Sequence, residues 1–281
     1  MEYISLRNGN DLPIIGLGTW QITDTELLTH IIGSAYDEGY RLIDTAAAYS
    51  NEIALAKAIS FNGIRRNDLI ISDKVWNSSR GYDAVQEACK KSLRKLKTDY
   101  LDIYLIHWPA SPKLYDDWAD INADTWRGME RLKKDGWVVN IGVSNFKVHH
   151  LKELKKTAEI MPLVDQIELH PGLPQPELLS FCKEEKISVE ASSPLGNGQI
   201  LSHLCLMRIA QKHGVTPAQV CLRWEIQKGV IAIPKTSNIE RLNNNINIFD
   251  FVLDKDEMQE IDSMEYCGGI GINPDEVTEF G

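Results

Sequence analysis

The sequence predicts a (β/α)8 TIM barrel preceded by a β-hairpin and followed by an extra C-terminal helix and tail. Short apolar runs alternate with longer amphipathic ones along the chain, the pattern of repeated βα units. Eight such runs occur, and most are apolar throughout, as strands buried on both faces must be. No linker rich in Pro, Gly or Ser divides the 281 residues, a length that suits one barrel. Residues 1–281 are therefore expected to form one domain.

The elements follow in order. Tyr3-Ile-Ser-Leu6 and Leu12-Pro-Ile-Ile15 flank Asn8-Gly9-Asn10-Asp11, a hairpin signal. Strands are expected at Ile15–Thr19, Arg41–Asp44, Leu69–Lys74, Asp102–His107, Val138–Val143, Leu163–Glu168, Ser188–Ser192 and Val230–Pro234. Helices are expected at Asp24–Glu38, with Asp24 as its cap, and at Gly81–Leu96, Ala123–Lys134, Lys147–Glu159, Gln175–Glu185 and Pro217–Gln227. Another helical stretch follows Tyr49. Thr216-Pro217 is a helix-start signal. Trp108–Ala119 reads as a loop after strand four. Phe249–Gly281 reads as a tail with a helix at Lys255–Met264 and then a Gly-rich run. Both belong beside the mouth of the barrel, where active sites of this fold sit.

Composition narrows the function. Hydrophobic content of 43% and charged content of 25% are ordinary globular values, and the formal net charge is -10. That charge argues against general binding to nucleic acid or to an anionic membrane. The five cysteines are scattered, with no Cys-x-x-Cys, as in a reduced cytoplasmic protein. Met1-Glu-Tyr-Ile-Ser-Leu-Arg7 lacks the apolar core of a secretory leader. No apolar run approaches the roughly 20 residues of a membrane helix. A monomer is expected.

The chemistry lies at strand ends. Arg41-Leu-Ile-Asp44 ends on an acid, and Tyr49 follows in a loop of small residues. Leu69-Ile-Ile-Ser-Asp-Lys74 ends on a lysine, and Leu101-Asp-Ile-Tyr-Leu-Ile-His107 on a histidine. Taken singly, each has a plainer explanation: a capped turn, a packed ring, a satisfied core histidine. Lys74 is the exception, because a lysine ending a buried strand is costly unless paired. Asp44 on the neighbouring strand is its natural partner. As a set, the four residues suit carbonyl reduction. Hydride arriving at carbon leaves negative charge on oxygen, and a donor must supply a proton. Tyrosine, with a pKa of about 10, serves better with an ammonium nearby. Tyr49 is thus the expected acid, Lys74 its activator, Asp44 the holder of Lys74, and His107 the group that places the carbonyl oxygen. A Schiff-base lysine at Lys74 is the competing chemistry. A non-catalytic barrel that only binds a cofactor is the competing function.

Gly16-Leu-Gly18 is followed by Gln21, so it is no dinucleotide fingerprint. No Gly-x-x-x-x-Gly-Lys loop or metal-ligand spacing occurs, and no metal is expected. A second cluster, Ile233-Pro-Lys-Thr-Ser-Asn-Ile-Glu-Arg-Leu-Asn-Asn-Asn245, ends a strand and opens a helix. Its cations and helix amides would suit a phosphomonoester. A capped helix with solvated charges is equally compatible.

Together these stretches resemble the aldo-keto reductase family, from Pro13 to about Leu253. The likeness rests on Leu17-Gly-Thr-Trp20, Asp44 through Glu52, Lys74 with Trp76, and His107-Trp-Pro109. It continues through Ile141-Gly-Val-Ser-Asn-Phe146, Gln166 through Pro171, and Ile233 through Asn245. It is nearest the microbial branch with 2,5-diketo-gluconate reductases and prostaglandin F synthase-like enzymes. The resemblance implies an NADPH-dependent reductase of aldehydes and ketones, small dicarbonyls or keto-sugars among them, with the tetrad Asp44, Tyr49, Lys74 and His107. It implies Ser144, Asn145 and Gln166 at the nicotinamide amide. It implies Lys235, Thr236 and Arg241 at the 2′-phosphate, and Asn245 at the adenine. Thr19, Trp20, Asp44, Ser192, Ser193, Leu195, Ser237 and Asn244 complete the implied cofactor contacts. Trp20, Trp76 and Trp108, with Tyr49 and His107, form the implied substrate wall. Three positions depart from the family's habit. Leu42 replaces a frequent His and Asn244 a frequent Glu. Ser192 stands where Tyr or Trp usually stacks on nicotinamide, which predicts a less tightly held cofactor.

Overall fold

The computed structural model describes residues 2–277. An antiparallel hairpin opens the chain: β1 (Tyr3–Ser5) pairs with β2 (Asp11–Pro13), Ile4 opposite Leu12. There follow β3 (Leu17–Gly18), α1 (Thr25–Asp37), β4 (Leu42–Asp44), α2 (Glu52–Phe61), β5 (Ile70–Val75) and α3 (Tyr82–Leu96). Next come β6 (Leu101–Ile106), α4 (Trp118–Lys134), β7 (Val138–Ser144), α5 (Val148–Lys155), β8 (Val164–Glu168), α6 (Pro176–Glu184) and β9 (Ser188–Ser192). The chain ends through α7 (Leu204–His213), α8 (Pro217–Gln227), β10 (Ile231–Ala232), α9 (Ile239–Ile246) and α10 (Lys255–Asp262). Strands β3 to β10 form one parallel sheet in sequence order. Its edges meet. The Gly16 N–H donates to the Ala232 carbonyl at 2.8 Å, the Gly18 N–H to Pro234 at 3.0 Å, and the Ala232 N–H to Ile14 at 2.9 Å. The expected (β/α)8 barrel is the one observed.

Strand alternation decides which side chains face the barrel axis. On β6, Ile103 and Leu105 join an apolar cluster with Leu42, Val164, Ile231 and Ile233. Their neighbours Tyr104 and Ile106 join the larger cluster beneath the helices. The hairpin contributes Leu6 and Leu12 to the first cluster and so plugs the barrel from its N-terminal end. By the same alternation Asp44 follows Leu42 inward, and Gln166 follows Val164. Polar residues therefore replace apolar ones toward the C-terminal ends of the strands. Gly142 marks a tight point: a Cβ there would lie 2.5 Å from the Val164 carbonyl oxygen and 2.7 Å from Leu105. The first and last strands are shorter than expected, Leu17–Gly18 and Ile231–Ala232. Beyond them, closure runs through the isolated bridges Ile15↔Ala232 and Gly18↔Lys235.

Helix starts match the sequence where a strong cap announces them. Asp24 accepts from the Leu27 N–H at 2.8 Å, and Thr216 and Gln219 form a reciprocal capping box. Two starts were not predicted. Helix α4 begins at Trp118, inside the expected loop, and Asp117 makes no side-chain cap. Helix α7 follows His203, whose ring accepts from Cys205 at 3.3 Å in place of the usual short polar cap. Helix α5 stops at Lys155, four residues earlier than expected.

The tail crosses the C-terminal face. The Ile270 and Gly271 N–H groups both donate to the Glu168 carboxylate, the latter at 2.9 Å. Farther along, Asp275 is held by Lys147 at 3.0 Å and His149 at 2.8 Å, and Ser111 Oγ donates to its carbonyl at 2.9 Å. His150 Nδ1 accepts from the Lys147 N–H, so its proton sits on Nε2, 3.3 Å from Asp275. Burial and the neighbouring His149 push the His150 pKa down to about 3, so the ring is neutral. This group fastens the tail. With Nε2 protonated, it is a poor cup for a metal.

Candidate active site

A cavity of about 1160 Å³ opens at the C-terminal ends of the strands. It exceeds the roughly 300–1,000 Å³ of drug-sized sites, as a dinucleotide with a substrate would require. Trp20, Asp44, Tyr49, Trp76, His107 and Trp108 line it. So do Ser144 and Asn145 from the end of β7, Gln166 from β8, and Ser192, Ser193 and Leu195 from the end of β9. Lys235 and Arg241 belong to the same cavity, as do Ile270 and Ile272 of the tail.

Lys74 lies behind this surface, fully buried. Its ammonium donates to Asp44 Oδ1 and Oδ2, both at 2.7 Å, and to the Thr45 carbonyl at 3.0 Å. Tyr49 Oη lies 3.5 Å from the same nitrogen. Burial works against the Lys74 charge. The Asp44 carboxylate and Tyr49 outweigh it, and the lysine pKa ends above its ordinary value. A Schiff-base nucleophile needs a neutral, reachable amine; this amine is charged, enclosed and bonded on three sides, against the aldolase alternative. Tyr49 sits in a turn at Ala47–Tyr49. Burial raises its pKa, Lys74 lowers it, and burial wins. This modifies the expected balance: Lys74 offsets part of the cost of a tyrosinate but does not make Tyr49 acidic at rest. The hydroxyl keeps its proton, the state a proton donor must hold.

His107 sits at the end of β6, edge-on to Tyr49 at 5.8 Å between ring centres and to Trp76 at 5.1 Å. Burial first, then the Lys74 charge, hold its pKa far below the usual range. It is a neutral imidazole with one N–H to donate, suited to a carbonyl oxygen. Its Nδ1 is buried without a protein hydrogen-bond partner.

The wall beside the tetrad is made of amides. Asn145, at the left-handed φ of +62°, donates through Nδ2 to the His107 carbonyl at 2.8 Å. Ser144 Oγ donates to the Gln166 carbonyl at 2.8 Å. Gln166 Nε2 donates to Asp44 Oδ1 at 2.9 Å and to Glu190 Oε2 at 2.8 Å. Glu190 was not singled out in the sequence, where it sits between Val189 and Ala191 like any residue of an apolar strand. Glu168, the tail's clasp, was also missed, although it lines the cavity.

Five of the implied cofactor residues do not line the cavity: Thr19, Thr236, Ser237, Asn244 and Asn245. Thr19 is buried and donates through both N–H and Oγ1 to the Asp44 carbonyl, at 3.0 and 2.9 Å. Thr236 Oγ1 accepts from the Asn238 N–H at 3.1 Å and closes the turn into α9. Asn245 is buried, while Ser237 and Asn244 are exposed. Asn238 caps α9, its Oδ1 accepting from Glu240 at 2.8 Å and Arg241 at 3.4 Å. Two amides expected to be open to a phosphate are thus already engaged. The cations Lys235 and Arg241 line the cavity beside this helix start.

Fold and site together define a barrel oxidoreductase with a buried acid–lysine–tyrosine chain. The family model for the aldo/keto reductase family matches residues 14–203 and 204–265. The chain is 46% identical over 276 residues to the glyoxal reductase of Bacillus subtilis, covering 98% of this chain and 97% of that one. It is 39% identical over 275 residues to methylglyoxal reductase DkgA of Escherichia coli, with 97% of each covered. A mutant of Gox0644 solved in complex with NADPH superposes with a TM-score of 0.90 at 38% identity, over 99% of each chain. The chain belongs to the aldo/keto reductase family. It is an NADP-dependent oxidoreductase. The amide-lined wall, the two cations and the size of the cavity fit that cofactor. Among the described residues, no helix is long and apolar enough to cross a membrane.

Proposed function

We propose that the protein reduces small aldehydes and ketones, α-dicarbonyls such as glyoxal and methylglyoxal foremost, with Tyr49 as the general acid. The observation that carries this reading is the buried chain Asp44–Lys74–Tyr49 beside a neutral His107. The cofactor supplies hydride to the carbonyl carbon. His107 donates to the carbonyl oxygen and orients it. Tyr49 passes its proton to that oxygen as charge develops there, and Lys74, 3.5 Å away, stabilises the resulting tyrosinate. Asp44 keeps Lys74 charged and in place.

Ser144, Asn145 and Gln166 would hold the nicotinamide amide, and Lys235 and Arg241 a 2′-phosphate. Trp20, Trp76 and Trp108 would wall the substrate side. The named activities of the relatives support the dicarbonyl class, and keto-sugars fall within the same chemistry. We place the whole sequence in one domain, acting as a cytoplasmic monomer. The net charge of -10 and the five free cysteines are in keeping with that setting. A steady-state assay with methylglyoxal and NADPH tests the proposal. Absorbance at the NADPH band should fall with saturation kinetics. A purified protein that binds NADPH and consumes none with methylglyoxal, glyoxal or a keto-sugar would be a binding barrel instead.

A further inference from the structure

Gln166 is an amide with two polar ends, and only one can face the cavity usefully. Its Nε2 has two hydrogens, and both are taken: Asp44 Oδ1 at 2.9 Å and Glu190 Oε2 at 2.8 Å. Turning the amide over would set its oxygen against the Asp44 carboxylate, which is paired with Lys74 and has nothing to donate. The nitrogen is thus pinned inward, and the oxygen is what remains to accept a hydrogen bond. Glu190 makes this possible by position. It pairs with Gln166 in register on the adjacent strand, with Ile231 on its other side. It is fully buried, and its Oε1 has no protein partner. Nothing in the proposed proton path uses it.

We propose that Glu190 is a positioning residue for the nicotinamide amide: through Gln166 Nε2 it fixes which end of that side chain accepts from the cofactor, and it ties that amide to the Asp44–Lys74 pair. The inference rests on the reading of Gln166 as a cofactor contact. It adds a specific consequence. Burial and the Asp44 charge push the Glu190 pKa up to about 7, against the pull of the Gln166 hydrogen bond and Lys74. Asp165, on the strand beside it, is held well above the ordinary aspartate range by burial, with the Glu190 charge adding to that. Of the other groups at the site, His107 is neutral and Lys74 charged throughout the neutral range, and Tyr49 is protonated. As pH rises through about 7, Glu190 gains a negative charge behind the amide that would hold the nicotinamide. That charge favours the cationic NADP⁺ ring over neutral NADPH.

The test uses Glu190→Gln and Glu190→Leu, with fluorescence titration of NADPH and NADP⁺ at about pH 6 and pH 8.5. Glutamine keeps an acceptor for Gln166 Nε2 and removes the charge; leucine removes both. Glu190→Leu should bind NADPH about tenfold more weakly, because one Gln166 hydrogen is left without an acceptor and the amide can turn. Glu190→Gln should restore most of that affinity. In the unmodified protein the preference for NADP⁺ over NADPH should grow by about threefold or more between the two pH values. In Glu190→Gln it should stay flat. Equal NADPH affinity in a folded Glu190→Leu, or a Glu190→Gln as damaged as Glu190→Leu, overturns the positioning role. If Glu190→Leu does not fold, a Glu190→Gln that keeps the full pH dependence overturns it. These are binding measurements, so they judge Glu190 even if turnover of methylglyoxal fails and sinks the proposed substrate.

Discussion

Tyr49 and Ser192 make opposite demands on their surroundings. In the proposed mechanism Tyr49 surrenders a proton that burial makes harder to lose, and among the described residues Lys74 is the only cation bonded to it within 3.5 Å. Removing the hydroxyl while keeping the ring leaves the cavity wall intact. Tyr49→Phe should lower kcat by about 10²–10⁴-fold, the usual loss with a general acid. NADPH affinity measured by fluorescence should stay close to wild type; near-normal turnover would take Tyr49 out of the mechanism. Ser192 is a small side chain in the place where the family usually sets an aromatic ring. It lines the same cavity as Ile270 and Ile272 of the tail. Ser192→Tyr should tighten NADP⁺ binding by up to about tenfold, since stacking adds about 0.5–1.5 kcal/mol beyond area burial. Unchanged or weaker binding would mean that the tail isoleucines already cover that face.

Elements carry these side chains to one place by alternation, and this is where the sequence was most legible. Asp44, Lys74 and His107 each end an apolar run, so their convergence followed once the runs were taken as neighbouring parallel strands. Glu190 was hidden by the same logic. It sits mid-run, and its partner Gln166 is identified only by the β8–β9 register. The Glu168 clasp spans about a hundred residues to Ile270 and Gly271, a contact no local pattern announces. Helix α7 escaped because a histidine ring caps it. At α9 the residues left a phosphate-binding helix end and a plain capped helix equally open, and Asn238 does take the Glu240 and Arg241 amides. On the proposed reading, discrimination between cofactors then falls to side-chain charge. Arg241→Ala should weaken NADPH by about tenfold or more and NADH by much less, as loss of a charge-assisted contact to a phosphate found in only one of them requires. Titrations with both nucleotides decide it; equal losses would show that Arg241 does not read the phosphate.

At the scale of the whole molecule, the barrel buries more acids than its chemistry uses. Asp44 is matched by Lys74, and Asp73 accepts from the Lys74 N–H at 2.8 Å. Glu225 on α8 has neither: it is fully buried and both its oxygens lack a hydrogen-bond partner. Burial raises its pKa well above the ordinary glutamate value. Its proton is therefore kept on folding, while the unfolded chain releases it above about pH 4.3. Below that pH both states are protonated and nothing is lost. As pH rises toward the folded-state pKa, the native state binds one more proton than the unfolded state. Stability then falls with a slope of about 1.4 kcal/mol per pH unit from this residue alone. Asp73 and Glu190, pushed up to about 7, add the same sign over a narrower window that closes near neutrality. Glutamine at 225 has the same shape and no proton to hold. Glu225→Gln should therefore gain stability over wild type steadily from about pH 5 to about pH 7, by roughly 2–4 °C in Tm for each kcal/mol. Thermal unfolding of both proteins across that range measures the difference. A Tm offset that stays constant with pH would show that Glu225 is ionised and satisfied in the folded protein.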